Sequence, residues 1–163
     1  MKRFILSLVA TIATLGSLSA QSLPNTKVQN VDGRVIETQG WIDHKTPFIV
    51  SFWSTTCKPC IKELDTMSEY YEDWNDECPF RVIAVSIDDS RSVARAKALA
   101  RGRGWGDFFT LAYDVNSDFK RALNVVSVPQ VFVFDKNGNI VYSHTGYTPG
   151  NEVELFEKIK TLK

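Results

Sequence analysis

Phe48-Ile49-Val50-Ser51-Phe52-Trp53-Ser54-Thr55-Thr56-Cys57-Lys58-Pro59-Cys60 is the stretch whose reading decides the fold. Its first six residues are nearly all apolar with no alternation, which predicts a strand buried on both faces. Pro47 suits the start of such a strand, where a missing N–H is tolerated. From Cys57 the period changes. Ile61, Leu64, Met67, Tyr71 and Trp74 recur at helical spacing, with Lys62, Asp65, Glu69 and Glu72 between them. Thr56 is the expected N-cap, and Pro59 falls in the first turn, where it costs little. A strand running straight into a helix thus sets Cys57 and Cys60 on the first helical turn. There the unpaired backbone N–H groups and the positive end of the helix dipole favour a thiolate over a thiol. A stabilised thiolate is both nucleophile and leaving group, as thiol–disulfide exchange requires.

Working outward, residues 27–30 and 35–38 flank Asp32-Gly33 and predict a hairpin. Pro79 separates the Cys57 helix from a second buried strand over 81–87. Asp88-Asp89-Ser90 then opens a helix from about 91 to 101. Val93, Ala96, Leu99 and Ala100 supply its buried stripe, so Arg91, Arg95, Lys97, Arg101 and Arg103 read as a solvated face rather than a nucleic-acid site. Residues 102–106 read as a loop, 110–113 as a strand and 117–123 as a short helix. Residues 130–134 and 140–144 flank Asn137-Gly138, a hairpin signal. A closing helix is expected over 152–162 with Val153, Phe156 and Ile159 on one face. Strand, helix, strand, helix, strand, hairpin and helix make a three-layer α/β arrangement with a mixed sheet, its first crossover parallel and right-handed.

The N-terminus bears on compartment. Met1-Lys2-Arg3 is positive, residues 4–18 are uncharged and mostly apolar, and Gly16-Ser17-Leu18-Ser19-Ala20 supplies small residues. This is the grammar of a secretory signal peptide over residues 1–20. The apolar run is shorter than the roughly 20 residues a spanning helix needs, so cleavage is expected over an uncleaved anchor. Residues 21–163 then form a single domain. The full chain carries 19 basic and 19 acidic residues; without Lys2 and Arg3 the balance is 17 to 19, a formal charge of −2. That offers no footprint for nucleic acid. In an oxidising compartment the cysteine pair could be a staple, a metal half-site or a redox pair. Zinc would want a second pair of ligands, and Cys78, His44 and His144 are scattered. A staple closing so small a loop restricts the unfolded chain little. The redox pair is the favoured reading. No G-x-G-x-x-G is present, so the Cys57–Cys60 disulfide is the only redox group expected, with no added cofactor.

The residues 52–60 resemble the active-site segment of the thioredoxin family, and Val125-Val126-Ser127-Val128-Pro129-Gln130 resembles that fold's cis-proline loop. The leader, the hairpin ahead of the Phe48 strand and the insertion between the Arg81 strand and Pro129 are similar to the exported TlpA/ResA-like branch, which includes the cytochrome c maturation thioredoxins. The segment Phe132-Val133-Phe134-Asp135-Lys136-Asn137-Gly138 is similar too. The resemblance implies a thioredoxin-like α/β/α sandwich with Cys57 as exposed attacking thiolate and Cys60 as resolving thiol. It implies a cis Pro129, with the Val128 backbone pairing with an extended substrate segment. Trp53, Thr56, Lys58, Pro59 and Val128 would line the substrate groove. Exported, periplasmic proteins with disulfides would be the partners, a membrane protein would supply electrons, and the chain would act as a monomer.

Some positions depart from the cytosolic thioredoxin pattern. Ser51 stands where those proteins carry a buried Asp that shuttles a proton to the resolving cysteine, and Thr56 replaces the usual Trp. Some group must take the proton from Cys60 as it attacks. Glu63, one helical turn beyond Cys60, falls where several members of the branch carry an acid, and partial burial would raise its pKa toward a useful range. Lys58 favours the Cys57 thiolate and so a more oxidising pair, whereas Pro59, by family analogy, keeps the potential low. Cys78, just before Pro79 and a buried strand, is expected to be packed, and His44 and His144 to be surface or loop residues. Reductase of selected disulfides is the leading function; an oxidase or isomerase of the same fold, a peptide-binding module and a metal chaperone using Cys57 and Cys60 are the alternatives.

Overall fold

A computed structural model describes residues 21–162; the expected signal peptide lies outside the described residues. In chain order the elements are β1 (Lys27–Gln29), β2 (Val35–Glu37), β3 (Phe48–Trp53), α1 (Lys58–Glu77), β4 (Arg81–Ser86), α2 (Val93–Gly102), β5 (Thr110–Tyr113), α3 (Asp118–Ala122), β6 (Gln130–Phe134), β7 (Ile140–Thr145) and α4 (Asn151–Lys160). Short 3-10 turns cover Thr38–Trp41 and Trp105–Asp107. One sheet holds all seven strands in the order β2-β1-β5-β4-β3-β6-β7. β3, β4 and β5 run parallel, while both flanking hairpins pair antiparallel. The sheet is mixed, as the strand–helix order and the two hairpin turns predict.

β3 sits inside this sheet and every one of its residues is buried. Successive side chains point to opposite faces of a strand, and each face has its own apolar layer. Ile49 and Trp53 join Leu64, Met67, Ala96, Ala100, Leu155 and Ile159, which places α1, α2 and α4 over one face. Phe48, Val50 and Phe52 join Phe119, Phe132, Phe134 and Trp41 on the other, under α3 and the first 3-10 turn. Phe48 stacks on Phe134 with ring centroids 4.9 Å apart, and Trp53 meets Trp105 edge-on at 5.0 Å.

Three local expectations need correction. Helix α1 begins at Lys58, so Cys57 rather than Thr56 is its N-cap; the Cys57 sulfur accepts the Cys60 N–H at 3.2 Å. The Thr56 hydroxyl turns to Ser54 instead, at 3.3 Å. In α4 the buried stripe is Glu152, Leu155, Phe156 and Ile159, an i, i+3, i+4, i+7 series, and Val153 points outward at 49 % exposure. Finally, the 102–106 stretch is no plain loop: Trp105 is wholly buried and its Nε1 donates to Asp65 at 3.0 Å.

Candidate active site

β3 delivers the chain to the top of the sheet, and α1 starts after four intervening residues. Cys57 and Cys60 are joined by a disulfide at that junction, with Cα atoms 5.3 Å apart. Their environments differ. Cys60 is fully buried against the α1 side of the core, whereas Cys57 is half-buried. Lys58 and Pro59 between them are exposed. An incoming thiol or disulfide therefore reaches Cys57 and not Cys60.

The Ser54–Cys57 turn is held from a neighbouring strand. Asp88, just past β4 and buried, accepts the Thr55 N–H at 2.9 Å and the Thr55 hydroxyl at 2.7 Å. The Ser86 hydroxyl also donates to it at 2.9 Å. Asp89, next in sequence, is the residue that caps the following turn by accepting the Ser92 N–H. Of the adjacent acids, one caps the turn ahead of α2 and the other fixes the loop that carries Cys57. In the sequence alone both read as the start of the helix.

Pro129 follows a cis Val128–Pro129 bond, as the loop's resemblance implied. In the antiparallel pairing of β3 with β6, Phe52 faces Gln130. Pro129 therefore comes alongside Trp53, where the chain leaves for Cys57. Val128 and Cys57 pack on the same apolar layer. Of the residues expected to line a groove here, Thr56, Lys58 and Pro59 are exposed and Val128 is half-buried. Trp53 is not among them: at 0 % exposure, wedged edge-on against Trp105, it is a core residue.

Glu63 lies one turn beyond Cys60 on the same face of α1 and is completely buried. Burial pushes its carboxyl above the usual carboxylate range, more than its hydrogen bond to His144 pulls it down. His144 is the correction that matters most. It is no free surface residue: its side chain is 12 % exposed, and its Nε2 lies 2.9 Å from Glu63 Oε1. Nothing adjacent to His144 in sequence signals this, because the partner is 81 residues away. His44, by contrast, sits in an exposed loop with a positive φ. Cys78 is free and buried, as expected of a packed cysteine.

A half-buried cysteine at a helix N-terminus, disulfide-bonded to a buried one beside a cis-proline, suits thiol–disulfide exchange. A sequence profile of the AhpC/TSA family matches residues 20–143. The chain belongs to the AhpC/TSA family. Among proteins similar to this AhpC/TSA member is the thiol-disulfide oxidoreductase ResA of Bacillus thuringiensis, 26 % identical over 135 residues, which cover 83 % of this chain and 74 % of that protein. A thioredoxin-like protein from Porphyromonas gingivalis, known by its solution structure, is 46 % identical; the match covers 86 % of this chain and 90 % of that one with a TM-score of 0.75. A thiol:disulfide interchange protein of the thioredoxin family from Chlorobium tepidum shares the fold at a TM-score of 0.70 and 18 % identity, covering 90 % and 99 % of the two chains. The fold is thioredoxin-like, and this AhpC/TSA protein is a thiol–disulfide oxidoreductase.

Proposed function

We propose that the protein acts outside the cytoplasm as a reductase of disulfides in other exported proteins, recharged by a membrane electron donor. One observation carries the division of labour: Cys57 is reachable and Cys60 is not. In the reduced protein the Cys57 thiolate attacks a client disulfide, forming a mixed disulfide and expelling one client thiolate. Cys60 then loses its proton and attacks Cys57 Sγ. The Cys57–client bond breaks, the second client thiol leaves, and the protein is left as the Cys57–Cys60 disulfide. The client gains two electrons and the protein loses two. The N-terminal leader supports the exported setting, and Pro59 between the cysteines supports the reducing direction. Cytochrome c maturation is one client pathway consistent with the ResA-like resemblance.

A second reading rests on Lys58. Lys58 is exposed in the first turn between the cysteines, where a cation stabilises the thiolate and so the reduced form. That favours an oxidase or isomerase of the same fold. The midpoint potential of the Cys57–Cys60 couple decides between them. A value below about −200 mV is expected of the reductase, and one near about −120 mV would reverse the assigned direction. In the same titration Lys58→Glu should lower the potential by roughly 5–20 mV, since a surface charge worth about 0.2–1 kcal/mol is lost from the reduced form.

A further inference from the structure

The exchange reading leaves one proton without a destination. Cys60 is fully buried, so water does not reach the thiol it becomes on reduction. Glu63 and His144 meet through Oε1 and Nε2, yet Glu63 Oε2 and His144 Nδ1 are buried with no hydrogen-bond partner among the described residues. An unpaired buried polar atom in a native fold calls for an explanation, and a role in proton transfer is one.

We propose that His144 is a positioning residue whose Nε2–H holds Glu63 Oε1, leaving Oε2 as the acceptor of the Cys60 proton during resolution. The proposal rests on the exchange reading and adds to it the group that arms Glu63. The sheet register shows how the two elements come together. Ser51 of β3 faces Val131 of β6, and Val131 faces His144 of β7. Directly opposed residues share a face, so the three form one row on the side covered by α1. Ser51 lies at the centre of the sheet with its hydroxyl buried and without a hydrogen-bond partner among the described residues, and a hydroxyl is no base at neutral pH. Two strands along the same row His144 supplies a nitrogen, and Glu63 reaches it from the turn after Cys60. Fixing one carboxylate oxygen removes side-chain rotation that would otherwise be frozen in every turnover.

The other ionisable groups around the pair do not compete for the role. Glu152, from α4, has both carboxylate oxygens on the Gly150 N–H, and its charge adds to the proton affinity of Glu63. Tyr147 lies close enough to feel both carboxylates, and its hydroxyl is raised above the usual phenol range chiefly by burial. Tyr142, on β7 with His144, interacts with Glu154 and carries Lys158 over its ring. Lys62, beside Glu63 on α1, is exposed. During resolution the Cys60 S–H proton passes to Glu63 Oε2 while the sulfur electron pair forms the bond to Cys57 Sγ. The Cys57–client S–S bond breaks, the client departs as thiolate, and Glu63 keeps the proton until re-reduction of the disulfide returns it to Cys60.

Stopped-flow mixing of the reduced protein with 5,5′-dithiobis(2-nitrobenzoate) separates the two steps. The first nitrothiolate released reports attack by Cys57, the second resolution by Cys60. His144→Leu and Glu63→Gln should each leave the first phase unchanged and slow the second by about 10- to 100-fold. The double variant should be no slower than either single one, since both remove one unit. His144→Gln keeps a donor at a comparable position and should restore the second phase to within about threefold of wild type. Should His144→Leu not fold, His144→Asn, too short to reach Glu63, must show the same split. A wild-type second phase in His144→Leu or His144→Asn overturns the proposal, as does equal slowing of both phases or no rescue by glutamine. Absence of the first phase in the wild type would overturn the exchange reading itself.

Discussion

Glu63 shows how far a single residue can be read before its partners are known. Its place one turn beyond Cys60 is legible from spacing, and so are the cysteines and Pro129, because their signals are local. Complete burial and the bond to His144 are not legible, since they depend on the register of β6 and β7. Asp88 is hidden for the same reason, its partner Thr55 lying 33 residues away. Burial of Glu63 has a consequence for stability. Its carboxyl binds a proton more tightly in the folded chain than in the unfolded one, so its contribution is full below the ordinary carboxylate range and is lost as pH rises through the folded value. The wild type should therefore lose stability from Glu63 between about pH 5 and about pH 8, whereas Glu63→Gln should lose less. Urea denaturation at the two pH values measures both slopes. A steeper loss in the variant would contradict a raised Glu63.

At the scale of elements, the four helices of the described residues are all legible in the sequence, but phase and detail are misjudged where a few residues decide. In α4 the stripe starts at Glu152, so Leu155 takes the buried place that Val153 had been expected to fill. The Trp105–Asp107 turn was invisible to periodicity because a single turn has none, yet Trp105 fills the space between α1 and α2. It stacks edge-on to Trp53 and bonds Asp65, which also holds Arg103. Trp105→Ala should cost about 3–5 kcal/mol and Leu155→Ala about 2–5 kcal/mol. Val153→Ser should change stability by no more than about 0.5 kcal/mol. Denaturant midpoints at constant slope report all three, and comparable losses for Val153 and Leu155 would show the helix phase to be wrong.

At the scale of the whole molecule, the three-layer arrangement was legible because β3 announces a strand buried on both faces, and such a strand needs helices above and below it. The strand order was not. That the leading hairpin joins beyond β5, four places from β6, follows from the contact of Gln29 with Tyr113 and from no sequence signal. What the assembled fold does is make two cysteines unequal: one at the rim beside the cis-proline loop, the other in the core beside Glu63. The proposed exchange through a Cys57-linked intermediate rests on that inequality. The direct measurement is mixed-disulfide trapping in the native cell, using Cys60→Ala and Cys57→Ala proteins resolved on non-reducing gels. Cys60→Ala should accumulate thiol-sensitive adducts joined through Cys57, and Cys57→Ala should not. No adducts with Cys60→Ala, or the same adducts with both variants, would contradict exchange at this site.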